Sequence, residues 1–274
     1  MPSPIERFVE LPAGRFRVLE WPGSGRPVVF LHGLTAVADV WGATVEALGA
    51  GAPPCVAIDQ RGHGQSHPST MNYSINAYVA DATSFIRMGK LDRPHLVGHS
   101  MGGRVAMVLA ARHPELIRSV AIVDIGPEQW KANWEQSVAA FAEMPHSFAD
   151  EAAALAFAGS RVSNSPVGTG AFLSRLREEP DGSFRWRADI DALAKTVQSQ
   201  RSRNHWSDWE ALQPPALFVR GETSHEVRQR IATEMRRRNP AVKFVELEGV
   251  SHNVPLIAPE RLAIALRAFW AESQ

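Results

Sequence analysis

Cysteine is nearly missing from this chain of 274 residues. Its one thiol, Cys55, has no partner for an internal disulfide. It sits in the apolar run Pro54-Cys55-Val56-Ala57-Ile58, the setting of a small buried hydrophobe. Long apolar runs are missing too: none approaches the roughly 18 residues that a membrane span needs. The start, Met1-Pro2-Ser3-Pro4-Ile5-Glu6-Arg7, lacks a charged-then-apolar leader, so a cytoplasmic protein with no membrane partner is expected. An excess of one charge is absent, with 29 basic against 29 acidic residues. That balance removes any global electrostatic attraction to nucleic acid or an anionic surface. Internal repeats and low-complexity tracts do not occur, and no feature sets an oligomeric state.

What the chain does contain is alternation. Short, often β-branched apolar runs at 16–21, 28–31, 55–58, 95–97, 120–123, 216–219 and 242–247 read as strands. Helical patterns at 41–48, 75–88, 103–112, 226–238 and 259–271 lie between most of them. Such alternation implies an α/β protein with a mostly parallel sheet flanked by helices, whose ligands sit beyond the carboxyl ends of the strands. Residues 128–213 break the pattern with helical segments rich in Ala, Trp and Arg, and no strand is expected there. They read as a helical cap, leaving 1–127 and 214–274 as the core domain. Of five tryptophans in this insertion, Trp130, Trp134, Trp186 and Trp206 are candidates for an apolar substrate pocket. Its arginines, Arg161, Arg175, Arg177, Arg185, Arg187, Arg201 and Arg203, are ordinarily solvated or ion-paired. One facing the site would select an acid-bearing substrate.

Gly98-His99-Ser100-Met101-Gly102 is the strongest local signal. It joins the strand at 95–97 to the helix at 103–112, the context in which G-x-S-x-G forms a nucleophile elbow. Glycine two residues either side lets the turn close, and the helix start aims free N–H groups at any oxyanion nearby. A chain of this length gives about 0.1 such matches by chance, so partners are required.

A base is supplied by His252, which follows the last strand in Gly249-Val250-Ser251-His252-Asn253. The acid has four candidates. Asp124 ends an apolar strand 24 residues after Ser100, a spacing that fits one helix down and one strand back to the same rim. Glu222 and Glu226 follow the strand at 216–219, and Glu226 reads as the first turn of the next helix. Asp59 ends a further strand. Backbone N–H groups of Leu34 and Met101 are placed to hold an oxyanion, while His32 braces its loop.

These residues make the chain resemble the α/β-hydrolase-fold serine hydrolases. The resemblance rests on His32-Gly33, Asp59-Gln60-Arg61-Gly62-His63-Gly64-Gln65-Ser66, Gly98-His99-Ser100-Met101-Gly102-Gly103 and Gly249-Val250-Ser251-His252, in the family's order. It implies eight strands with a helical cap inserted after the sixth, and it assigns Asp59 to shaping its own loop. The family's usual acid follows the seventh strand, three residues after a glycine, where this chain has Ser224. A subset, including haloalkane dehalogenases and several esterases, takes its acid from the end of the sixth strand. Asp124 matches that placement. The dehalogenases use an aspartate nucleophile, so Ser100 argues against their chemistry.

The expected function is hydrolysis of a carboxylic ester or related acyl bond in a small-molecule substrate, with no metal or organic cofactor. On the same triad, lactonase, amidase, C–C bond hydrolase and cofactor-free perhydrolase activities stay open. A non-catalytic small-ligand receptor is the alternative of another class. Covalent labelling of Ser100 separates it from an enzyme.

Overall fold

The computed structural model describes residues 3–68, 71–128, 139–159, 166–199, 204–213 and 215–273. Its main sheet contains β1 (Ile5–Leu11), β2 (Gly14–Trp21), β3 (Val28–Leu31), β4 (Cys55–Ile58), the two-residue β5 (His67–Pro68), β6 (His95–His99) and β7 (Ser119–Val123). After the insertion come β11 (Ala216–Gly221) and β12 (Lys243–Leu247). Spatial order is β1-β2-β4-β3-β6-β7-β11-β12, with β5 against β2. Pairing is antiparallel from β1 through β2 to β4 and parallel from β4 to β12.

The central strands VVFL, CVAI and SVAIV are buried at every position because helices cover both faces. Alternate residues supply the two cores. Val29, Leu31 and Leu96 face α2 (Ile75–Met88) and α3 (Met101–Arg112). Val28, Phe30 and Val97 instead face α1 (Gly42–Leu48) and the last helix, Pro259–Glu272. The chain runs from β3 outward to β4, then crosses back to β6 on the other side of β3. Connections therefore diverge at the carboxyl ends of β3 and β6, which opens a crevice there.

Strand β1 has no counterpart among the expected strands. It is an edge strand with the sequence IERFVEL, and charged residues interrupt its apolar positions. Between β7 and β11 lie α4 (Glu151–Gly159), α5 (Pro166–Leu173), α6 (Ile190–Ser199) and α7 (Trp206–Glu210). Contrary to the all-helical expectation, this stretch also holds a small antiparallel sheet in the order β8-β10-β9. Its strands are β8 (Ser147–Phe148), β9 (Leu176–Glu178) and β10 (Phe184–Trp186). Strands of two or three residues are too short to show a period of two.

Phe148, Phe172, Trp186 and Leu193 form a separate apolar cluster here, and Leu34 from the loop after β3 packs against it. Arg187 pairs with Asp39 at 2.9 Å and Tyr78 hydrogen bonds Thr196 at 2.7 Å, tying the insertion to the segment after β3 and to α2. The last two helices before the C-terminus of the chain are α9 (Val254–Ile257) and α10 (Pro259–Glu272), preceded by α8 (Gln229–Arg238). Among the described residues no helix is long and apolar enough to cross a membrane.

Candidate active site

Ser100 occupies the turn between β6 and α3 at φ 52° and ψ −120°, a left-handed conformation that non-glycine residues rarely adopt. Its backbone holds the turn: Ser100 N–H donates to Val123 O at 2.9 Å, and Ser100 O accepts from Arg104 N–H at 3.1 Å. The flanking glycines are a steric necessity. A Cβ on Gly98 would strike the Gly102 carbonyl, and one on Gly102 would strike the carbonyls of Leu31 and His32.

His252 lies between β12 and α9 and reaches Ser100, with Nε2 to Oγ at 2.9 Å. Its Nδ1 faces Asp124 Oδ2 at 2.7 Å. An ionised carboxylate only accepts, so Nδ1 carries the proton and Nε2 offers its lone pair to the serine hydroxyl. The other buried histidines serve structure. His32 Nε2 accepts from Gln60 N–H at 2.9 Å and its Nδ1 donates to Gly33 O at 2.8 Å, which braces the loop as expected. His99 donates from Nε2 to the carbonyl of His252 at 2.8 Å and so fixes the backbone of that residue. Burial pulls His32 down to about 4, and His63 and His99 down to about 3, which keeps all three rings neutral.

Asp124, just past β7, is wholly buried, also at φ 52°. Its Oδ1 accepts from Gly221 N–H at 2.9 Å, and its Oδ2 accepts from the Ser224 hydroxyl as well as from His252. The alternative acids are placed elsewhere. Glu222 Oε2 accepts from Gly249 N–H at 2.7 Å. Glu226 precedes α8 rather than starting it, because the helix begins at Gln229. Asp59 accepts from the N–H groups of Ala38 at 2.7 Å and Gln65 at 3.1 Å, so it holds its own loop.

A cavity of about 370 Å³ opens over Ser100 and His252. Leu34, Met101, Ile125, Phe141, Val197 and Leu256 give it an apolar wall. Met101 is the first residue of α3, so its N–H has no acceptor within the helix. Leu34, in the loop after β3, and Met101 line the same cavity. Charged groups in the lining are Arg104, Arg175 and Glu226. Burial lowers Arg104 to about 10 despite the opposing charge of Glu226. No cluster of three or more His, Cys, Asp or Glu side chains among the described residues is arranged to hold a metal ion.

The tryptophan expectation needs correction. Trp186 packs among Phe148, Phe157 and Phe172 and donates its indole N–H to Pro145 O at 2.8 Å. Trp206 donates to Glu128 Oε2 at 2.9 Å and carries Arg238 over its ring. Neither lines the cavity; each satisfies its N–H within the protein, as buried indoles do. Trp130 and Trp134 lie outside the described residues, as do Arg161, Arg201 and Arg203. Ser224 as a donor to Asp124, and His99 as a clamp on His252, have no sequence signature beyond their places beside Gly221 and Ser100.

This arrangement of sheet, elbow and crevice is that of a hydrolase, and the chain belongs to the alpha/beta hydrolase fold family, whose model matches residues 26–259. The chain is 30% identical, over 97% of its length and 95% of the other's, to 2-(acetamidomethylene)succinate hydrolase of Mesorhizobium japonicum. An esterase of Mycobacterium tuberculosis is 27% identical over 97% of this chain and 89% of its own. A crystal structure of E-2-(acetamidomethylene)succinate hydrolase superposes with a TM-score of 0.86 at 29% identity, covering 98% of this chain and 99% of that one. The protein is a hydrolytic enzyme.

Proposed function

We propose that the protein is a serine hydrolase that cleaves a carboxylic ester or related acyl bond in a small molecule. The unbroken chain from Ser100 Oγ through His252 at 2.9 Å to Asp124 at 2.7 Å carries this reading. Ser100 Oγ attacks the carbonyl carbon as His252 Nε2 takes its proton, and Asp124 stabilises the imidazolium that forms. The N–H groups of Leu34 and Met101 hold the oxyanion. His252 then protonates the leaving group, and water releases the acyl group from Ser100 by the same route in reverse. Residues 128–213 cap the site in this reading, and a cytoplasmic location goes with it.

Turnover of 4-nitrophenyl acetate tests the mechanism. Ser100→Ala is expected to lower kcat by about 10⁴-fold or more; turnover retained in that variant would end the proposal.

A second reading concerns the bond. The Mesorhizobium japonicum relative is named for a substrate with an acetamide group, and its similarity spans nearly the whole chain. Cleavage of an acylated nitrogen is therefore the runner-up to an ester. Comparing 4-nitroacetanilide with 4-nitrophenyl acetate decides between them.

A further inference from the structure

Arg175 is the surplus charge of the cavity. It joins α5 to β9, and its backbone is held on both sides: its N–H donates to Phe172 O at 3.0 Å and its carbonyl accepts from Arg187 N–H at 2.8 Å. Two other arginines of the insertion have found acids, Arg177 with Glu179 at 2.6 Å and Arg187 with Asp39 at 2.9 Å. Arg175 has no carboxylate partner among the described residues. Its side chain bonds a neutral acceptor, Asn253 Oδ1, at 3.0 Å. Asn253 directly follows the base, so this bond fixes the guanidinium to the loop that carries His252.

Charges around the cavity do not cancel this one. Glu226 acts on Arg104, and among the described residues no acidic group offsets the burial that lowers the pKa of Arg175. Arg175 is half-buried, and a cation partly withdrawn from water gains from an anionic partner. A guanidinium presents five N–H donors in a fork that matches a carboxylate, and Asn253 engages one nitrogen. Arg175 lines the cavity that contains Ser100.

We propose that Arg175 receives a carboxylate of the substrate, so that the acyl compound attacked by Ser100 carries a free acid. This rests on the serine-hydrolase reading above. It makes Arg175 a specificity residue: the acid is bound at the cavity wall, and the scissile carbonyl is thereby presented to Ser100.

The test compares acidic esters with neutral ones of like shape. Mono-4-nitrophenyl glutarate against 4-nitrophenyl butyrate places the acid in the acyl part. 4-Acetoxybenzoate against its methyl ester places it in the leaving group. In one of the two pairs kcat/KM is expected to favour the acid by about tenfold or more, with Arg175→Gln erasing that preference through KM and Arg175→Lys keeping part of it. Preferences left unchanged in both pairs by Arg175→Gln would overturn the proposal.

A measurement on the unaltered enzyme stands beside it in case the variant does not fold. Glutarate is expected to inhibit competitively at about one tenth or less of the concentration that glutaramide needs; equal inhibition would overturn it. Neutral-ester turnover surviving in Ser100→Ala would count against the serine reading. Loss of that turnover with unchanged acid preference in Arg175→Gln would count against the arginine alone.

Discussion

Ser224 donates its hydroxyl hydrogen bond to Oδ2 of Asp124, the same oxygen that faces Nδ1 of His252. The serine stands three residues beyond Gly221, and in the proposed triad it supports an acid supplied by the neighbouring strand. Hydrogen bonds to charged groups contribute about 1.5–3 kcal/mol. Ser224→Ala is therefore expected to lower kcat by about tenfold with little change in KM. A raised KM with kcat intact would show that Ser224 acts on substrate binding instead.

Because positions 124 and 224 touch, the acid of the proposed triad should be movable between them. Asp124→Asn alone is expected to cost about 10⁴-fold in kcat, since the amide cannot stabilise the imidazolium. Adding Ser224→Asp is expected to restore at least about tenfold of that loss. Glu222→Gln, by contrast, leaves an acceptor for Gly249 N–H and is expected to cost less than about threefold. A larger loss in Glu222→Gln than in Asp124→Asn would move the acid to the seventh-strand loop.

Gly102 packs its Cα against the end of β3, and an added Cβ would meet backbone carbonyls that cannot swing away. Gly102→Ala is expected to destabilise the fold by more than about 3 kcal/mol. Thermal denaturation monitored by circular dichroism checks this. A variant melting within a degree or two of the parent would mean that the elbow has slack.

Acid should weaken the fold through its buried histidines. His32, His63, His95 and His99 titrate at about 4, 3, 4 and 3 in the folded protein, against 6.5 for an ordinary histidine. Below the ordinary value the unfolded chain binds protons that the folded one refuses, so stability falls as pH falls. Their contribution is complete above that value and lost progressively toward the folded ones. One pH unit below it costs about 1.4 kcal/mol per histidine, or about 6 kcal/mol for four. The melting temperature is expected to be flat from about pH 8 to 7 and to drop steeply by about pH 5.5. A melting temperature that holds or rises on acidification would contradict this.

The sheet and the elbow were legible because burial writes itself into composition. Strands such as VVFL, CVAI and SVAIV are apolar throughout since both faces are covered. Gly98 and Gly102 mark a turn with no room for side chains. The position of Asp124 followed from spacing, because a helix and a returning strand must end on the rim where the helix began. Strand β1 was not legible, since an edge strand half open to water keeps its charged residues.

In the insertion, residue type was readable and direction was not. Trp186 and Trp206 were expected in the pocket on composition, yet their indole N–H groups turn to Pro145 O and Glu128. Arg175 was one of seven equivalent arginines in the sequence. What distinguishes it is that α5, β9 and the loop bearing Asn253 converge, a tertiary fact with no local signature.

The central claim is that His252 activates Ser100. Its most direct test is the reaction of the intact protein with a fluorophosphonate, followed by peptide mass mapping. One adduct per chain is expected, on the peptide containing Ser100, and it should be lost in His252→Ala. Absence of an adduct on Ser100, or an adduct formed as quickly in His252→Ala, would contradict the account.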